Sequence, residues 1–270
     1  MPKHTVAVLG AGKIGELVVA GLLRSGRPAE NLLVTARRPE RGAELTERYG
    51  VPVVDNATAV ERAGVLAIAV KPQDAAALLD EIGGRISADT LVVSLCAGLP
   101  TGFFASRLAE GTPVIRVMTN TPATVDQGMT AISAGPHATD DHLSIAEEMF
   151  KPLGSTVRVP EYQQDAVTAL SGSGPAYFYL MVEALIDAGV QLGLPRTVAH
   201  ELVVQTAVGS AMMLRDSGEH PVKLREAVTS PAGTTAAALR ELERHGVRSA
   251  LLTAAEAARD RARQIAEAAG

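Results

Sequence analysis

Three stretches of this chain combine residue types that can hold a phosphate or a small anion. Gly10-Ala11-Gly12-Lys13-Ile14-Gly15 has G-x-G-x-x-G spacing. At that spacing Gly10 can make a tight turn, Gly12 can let backbone approach a pyrophosphate, and Gly15 can let a helix pack close to a strand. The motif follows the apolar run Thr5–Leu9 and opens a helical pattern over Ile14–Ser25. A helix start placed there turns free N–H groups and a positive dipole end toward phosphates. The second stretch is Leu170-Ser171-Gly172-Ser173-Gly174-Pro175-Ala176-Tyr177, and the third is Val228-Thr229-Ser230-Pro231-Ala232-Gly233-Thr234-Thr235; each opens a helical pattern. Read as loops, both offer N–H and hydroxyl groups at a helix start, which suits a carboxylate. Singly, either reads equally well as an N-cap or an interhelical turn. Together they point to a small-anion site.

Two kinds of segment must position these residues. Up to about Arg158, short β-branched runs alternate with helical patterns. The runs are Thr5–Leu9, Leu32–Thr35, Val51–Val54, Val65–Val70, Leu91–Ser94, Pro113–Met118 and a weaker Ser155–Val159. Between them lie Ile14–Ser25, Pro39–Tyr49, Gln73–Ile82 and Thr101–Leu108. That alternation predicts an α/β fold, a mainly parallel sheet with helices on both faces. From Tyr162 on the strand signal gives way to Ala- and Leu-rich segments: Ala176–Leu192, Arg196–Ser217, Pro221–Val228, Thr235–His245 and Val247–Ala268. The chain thus divides into an N-terminal Rossmann dinucleotide-binding domain, residues 1–160, and a C-terminal all-helical domain, residues 161–270. Some helices, such as Ala199–Leu214, are apolar over more than one face. This predicts packing against another copy of the chain, the alternative being a compact monomeric bundle.

In such sheets ligands bind beyond the carboxyl ends of the strands. The second strand ends in Thr35-Ala36-Arg37-Arg38, with no acid before Glu40. An Asp or Glu there would accept hydrogen bonds from the ribose 2′-OH, whereas hydroxyl and guanidinium groups suit a 2′-phosphate. NADP(H) is therefore expected in preference to NAD(H); the alternative leaves Arg37 and Arg38 as solvated residues before a helix. Ala69-Val70-Lys71-Pro72 and Cys96-Ala97 follow the fourth and fifth strands, and Met118 and Asn120 lie in the polar turn Arg116–Pro122. With Asn56 they complete the expected cofactor-binding set. Lys71 would bring a positive charge near ribose or nicotinamide, or simply end a strand at the surface. Cys96 has no His-plus-acid arrangement near it in sequence and reads as a small loop residue.

Composition narrows the classes further. The 270 residues are 47% hydrophobic and 20% charged, enough to build a core and too apolar for intrinsic disorder. A net charge of −5 with no basic block argues against nucleic acid or an anionic membrane as partner. One cysteine excludes a disulfide scaffold. No apolar run approaches the ~18 residues of a membrane span, and Met1–Gly15 lacks the apolar length and cleavage site of a signal peptide. A cytoplasmic protein is expected. His4, His137, His142, His200, His220 and His245 show no metal-ligand spacing, so no metal is expected.

The segment Val228–Leu239, VTSPAGTTAAAL, resembles the signature of the pyrroline-5-carboxylate reductases. LSGSGPAY at Leu170–Tyr177, RVMTNTP at Arg116–Pro122 and AVKP at Ala69–Pro72 are similar to other blocks of that family, in the same order. The resemblance runs from the Gly10 motif to the last helices. It implies reduction of 1-pyrroline-5-carboxylate to L-proline by NADPH, the last step of proline biosynthesis. It also implies a homodimer or higher homo-oligomer, commonly a decamer. For that reaction, the backbone N–H groups of Gly233, Thr234 and Thr235 at a helix start are expected to clamp the substrate carboxylate. The Thr235 hydroxyl would bond the ring nitrogen as the catalytic contact. Glu161, Ser171, Gly172, Ser173, Gly174 and Ser230 complete the expected substrate-binding residues. The chain departs from the family pattern at Ala232, where a second glycine is commoner, with little effect expected. It departs again at Ala36, where a polar residue is usual, which puts more weight on Arg37 and Arg38. A β-hydroxyacid-type dehydrogenase would carry a Lys early in the helical domain, and Glu161–Met213 contains none. A catalytically silent NADPH sensor would need neither the Ser171 nor the Thr234 stretch.

Overall fold

The computed structural model describes residues 5–269; Met1–His4 and Gly270, and with them His4 and the start of the N-terminal stretch considered above, lie outside them. The chain runs β1 (Val6–Leu9), α1 (Lys13–Arg24), β2 (Leu32–Thr35), α2 (Pro39–Tyr49), α3 (Asn56–Arg62), β3 (Val65–Ile68), α4 (Pro72–Ile82), β4 (Leu91–Ser94) and α5 (Thr101–Ala105). It continues through β5 (Val114–Met118), β6 (Gly128–Ala134), α6 (Asp140–Phe150), β7 (Gly154–Arg158) and α7 (Gln164–Val167). Five helices follow: α8 (Gly174–Gln191), α9 (Arg196–Asp216), α10 (Pro221–Ala227), α11 (Thr234–Arg244) and α12 (Val247–Ala269).

The strands form one sheet in the order β2-β1-β3-β4-β5-β6-β7. Among the described strands, only the β5–β6 pair is antiparallel. Continuous apolar runs such as Val6–Leu9 are buried on both faces, as a parallel sheet requires. On one face Val8, Val34 and Ile115 meet Val18 and Leu22 of α1 and Phe150 of α6. On the other, Leu9, Leu33 and Ile68 meet Val60, Leu79 and Phe104 of α3, α4 and α5. The doubly wound reading of the sequence is therefore the observed architecture.

Two of the strands differ from the sequence reading. Val51–Val54 is not a full strand: only Val53 bridges, in parallel, to Val34 on the outer edge of β2. Pro52 has no N–H to donate, and Asp55 already caps α3 by accepting from the Thr58 N–H at 2.8 Å. β6 has no counterpart in the sequence reading because Thr130 and Ser133 interrupt its apolar pattern. Both are buried and paired, Thr130 Oγ1 donating to Thr119 Oγ1 at 3.0 Å and Ser133 Oγ to the Val159 carbonyl at 2.7 Å.

By contacts the chain forms two compact units. One holds the described residues through Ser173 together with those from Ala258 on; the other is Gly174–Ala257. In the second, α8 packs along α9, and a Cβ on Gly189 would come within 2.8 Å of the Ala199 Cβ. Few side chains there are buried, Ile186 and Ala199 among them. Phe178, Leu180, Leu185, Leu202 and Leu252 are more than half exposed within one chain. Apolar surface of this extent marks an association face.

The stretch expected as a loop at Ser171–Gly174 is helical instead. A 3₁₀ turn over Glu161–Gln163 leads into α7, then a π turn over Thr168–Gly172, then α8. Ser173 N–H donates to the Thr168 carbonyl at 2.8 Å, so it is not free for an anion. Pro175 has no N–H for the Ser171 carbonyl, and a wider turn relieves the clash of its ring. Asn120 takes over that carbonyl: its Nδ2 donates to Ser171 O at 3.2 Å, while its Oδ1 accepts from Met129 N–H at 2.9 Å. Asn120→Ala strands two half-buried backbone groups and is expected to cost about 2 kcal/mol. The check is the chemical-denaturation midpoint; an unmoved midpoint would mean water replaces both bonds at no cost.

Candidate functional site

Four parallel strands end level with one another. Thr35 pairs with Leu9, Leu9 with Ile68, Ile68 with Ser94, and Ser94 with Arg116. The loops carrying Gly10–Gly12, Ala36–Arg38, Ala69–Lys71 and Cys96–Ala97 therefore emerge along one edge, the carboxyl edge where such folds bind ligands.

The glycine turn is fixed by close approach. A Cβ on Gly15 would fall on the Gly10 carbonyl oxygen, and one on Gly10, at φ 109°, would sit 2.9 Å from the Ala69 carbonyl oxygen. Gly12 is different: it is the N-cap of α1 at φ −75°, and a Cβ there would meet nothing within 4 Å. No side chain caps the first turn of α1. The geometry thus offers free N–H groups beside open space, and a dinucleotide pyrophosphate fits it. Lys13 is exposed beside it and Ile14 half-buried.

Around that turn the expected cofactor residues divide. Thr35 is buried at the end of β2 and Ala36 half-buried, while Arg37 and Arg38 are exposed. Arg37 has one long ion pair, 3.8 Å to Asp74, a contact worth little at a surface. Val70 touches the Gly10 position, and Lys71 lies exposed before Pro72 at the start of α4. The Asn56 amide instead donates to Glu81 at 3.1 Å. Cys96 is buried, its Sγ 3.4 Å from the Val70 carbonyl oxygen; burial pushes its thiol up to about 11. A thiol so protonated is no nucleophile.

The structure brings a second group of expected residues together. Met118 Cε lies where a Cβ on Gly172 would be, and Asn120 holds Ser171. Glu161 is bound by Thr101, whose N–H donates at 2.6 Å and whose hydroxyl donates at 2.7 Å. Arg116, almost fully buried, lies 3.7 Å from both Glu161 and Asp165. The sequence reading did not single out Thr101 or Asp165. No local spacing could have found contacts made across about 60 residues.

The third stretch keeps its expected form. The Gly233 N–H donates to the Ser230 carbonyl at 3.0 Å. Pro231 follows Ser230, and Ala232 has φ 58°, a pattern that matches a type II turn. Gly233 then N-caps α11 with no side chain over the first turn, and a Cβ on it would collide with Ser230 Oγ. The N–H groups of Thr234 and Thr235 open the helix, with Thr235 half-exposed. This start can hold a carboxylate.

Residues 161–265 match the family described as pyrroline-5-carboxylate reductase dimerisation, and residues 5–98 match the family of NADP oxidoreductase, coenzyme F420-dependent. A pyrroline-5-carboxylate reductase of Corynebacterium melassecola is 43% identical over 97% of this chain and 98% of that one. One of Bacillus subtilis is 37% identical over 97% of this chain and 89% of its own. A solved pyrroline-5-carboxylate reductase of Coxiella burnetii has a TM-score of 0.93 at 33% identity, covering 98% and 99% of the two chains. A Plasmodium falciparum pyrroline carboxylate reductase solved with NADP bound has a TM-score of 0.88 at 28% identity, covering 98% and 99%.

Ala232 is one of two non-glycine residues with positive φ among those described. A left-handed alanine costs about 1 kcal/mol, part of which glycine's freedom in the unfolded chain offsets. Ala232→Gly is expected to raise stability by about 0.5 kcal/mol, and Ala232→Val to lower it by about 1–2 kcal/mol. Thermal unfolding of both variants checks this; equal shifts for the two would contradict the left-handed turn.

Proposed function

The chain belongs to the pyrroline-5-carboxylate reductase family, and from that premise we propose how its residues serve the reaction. That reaction reduces the C=N bond of 1-pyrroline-5-carboxylate to give proline, the last step of proline biosynthesis. A nicotinamide dinucleotide supplies the hydride, so the protein's work is binding and orientation. The observation that carries the assignment of roles is a pair of helix starts, α1 behind Gly12 and α11 behind Gly233. Both have glycine N-caps and no side chain over their free N–H groups.

On this reading residues 1–160 serve the dinucleotide and residues 161–270 serve the substrate and the dimer. The α1 start holds the pyrophosphate, with Ala11, Lys13, Ile14, Ala69, Val70 and Ala97 around the bound dinucleotide. Arg37 and Arg38, exposed and weakly engaged, hold the 2′-phosphate, which favours NADPH over NADH. The N–H groups of Gly233, Thr234 and Thr235 hold the substrate carboxylate, and the Thr235 hydroxyl bonds the ring nitrogen. An imine nitrogen is readily protonated near neutral pH, so water suffices as proton source. Ser171 and Ser173 keep weaker roles, since the π turn consumes backbone donors that an open loop would offer. Glu161 acts through Thr101, whose N–H and hydroxyl it holds. The protein is a homo-oligomer built on its helical region, in keeping with the dimerisation family match. A decamer and a cytoplasmic location complete the proposal.

The test is oxidation of NADPH, beside NADH at equal concentration, with racemic 1-pyrroline-5-carboxylate. Proline formation with faster NADPH turnover is expected. Replacing Arg37 and Arg38 by Ala should raise the apparent constant for NADPH far more than for NADH; equal effects would remove the 2′-phosphate role. No turnover from folded, cofactor-binding protein would overturn the functional reading. Thr235→Ala is expected to lower kcat/KM about 10-fold or more, the loss of one transition-state hydrogen bond. An unchanged kcat/KM would remove Thr235 from the mechanism.

A further inference from the structure

Arg41 lies in the first turns of α2, three residues beyond Arg38, and its guanidinium reaches back to the glycine turn. Its Nε donates to the Ala11 carbonyl at 2.9 Å. Its Nη2 pairs closely with Glu16, and its Nη1 donates to Glu44 at 2.9 Å. Glu16 stands in the first turn of α1, its N–H donating to the Gly12 carbonyl at 2.9 Å. A carboxylate in that place favours the helix but competes with a phosphate for the same positive end. Glu16 Oε1 accepts from Arg48 at 2.8 Å and from the Tyr49 hydroxyl at 2.9 Å, and Oε2 faces Arg41, so both oxygens are turned onto α2. Burial raises the Glu16 carboxyl, yet the Arg41 and Tyr49 hydrogen bonds and the two arginine charges hold it below the usual range. Glu16 thus stays ionised and needs its cations.

Ala11 sits between two glycines and has no side chain able to stiffen the turn. Among the described residues, the Arg41 side chain grips its carbonyl. The contact is charge-assisted and comes from a planar fork that also holds Glu16, an arrangement Lys cannot copy. Both arginine and carboxylate are mostly buried, 23% and 19% exposed, whereas Arg48 is 69% exposed.

We propose that Arg41 is a positioning residue for the dinucleotide pyrophosphate, fixing the glycine turn through the Ala11 carbonyl and turning Glu16 away from the phosphates. This rests on the functional reading above. Because α2 begins directly after Arg37 and Arg38, the same helix links the pyrophosphate turn to the residues assigned to the 2′-phosphate.

Calorimetric titration of NADPH and of NADH, without imine, tests this on wild type, Arg41→Ala, Arg41→Lys and Arg48→Ala. Arg41→Ala is expected to weaken both cofactors about 10-fold and by the same factor, because both carry the pyrophosphate. Arg41→Lys should weaken both about threefold. Arg48→Ala, which touches Glu16 but not Ala11, should stay within twofold of wild type. In turnover, KM for both cofactors should rise with Arg41→Ala while kcat at saturation changes far less. Equal losses from Arg41→Ala and Arg48→Ala would overturn the clamp in favour of charge alone. A loss confined to NADPH would reassign Arg41 to the 2′-phosphate and also overturn it. Should Arg41→Ala fail to fold, wild-type affinity in Arg41→Lys overturns the proposal by itself. Wild-type protein that binds neither cofactor would instead overturn the functional reading.

Discussion

One backbone contact governs the first unit: the packing of Gly15 against the carbonyl of Gly10. A single added carbon on Gly15 would occupy the carbonyl oxygen's place, so α1 can begin this close to the exit of β1 only with hydrogen there. That approach sets the axis along which Leu17, Val18 and Leu22 enter the core against the sheet. It also brings the N-terminus of α1 to the edge where Thr35, Leu9, Ile68 and Ser94 end level. Loops leaving level strands stand side by side, and a ligand laid along them can touch several at once.

Some helix starts elsewhere in the protein carry the side-chain cap that these two turns forgo. Asp55, Thr139 and His220 cap α3, α6 and α10 with their side chains. Gly12 and Gly233 cap α1 and α11 with nothing. Glycine at an N-cap costs only a few tenths of a kcal/mol relative to the best residues and leaves the N–H groups open. The charges around α1 follow from that opening. A bare acid would compete with an anion at an open helix start, and Glu16 is held on α2 by Arg41, Arg48 and Tyr49.

The second unit obeys a different constraint. Its helices bury little within one chain and expose Phe178, Leu180 and Leu252 by more than 60%. A helical segment with so few buried side chains has too little apolar burial to offset the entropy of ordering. Its stability is therefore bound up with association, which agrees with its match to a dimerisation family. With only 3% aromatic residues in the chain, most of that apolar surface is aliphatic or methionine, Phe178 being one of the few aromatics in it.

The sequence alone determined the features that local pattern encodes. Strand β2 and helix α2 fall where β-branched runs and an N1 proline place them, and the five C-terminal helices fall within two residues of the Ala- and Leu-rich segments. The G-x-G-x-x-G turn was legible from its spacing: Gly10 takes a positive φ, Gly15 passes close to the Gly10 carbonyl, and Gly12 leaves the helix start open. What only the tertiary structure decided involves partners far apart in the chain. β6 was hidden because its Thr130 and Ser133 look like surface residues until neighbouring strands and Gln164 satisfy them. The π turn before Pro175 depends on Asn120, 51 residues away, taking up the Ser171 carbonyl. The grip of Arg41 on Ala11 spans 30 residues. Composition and periodicity report which residues want burial or a turn. Which polar group meets which is settled only when the folded chain must leave no buried donor or acceptor unpaired.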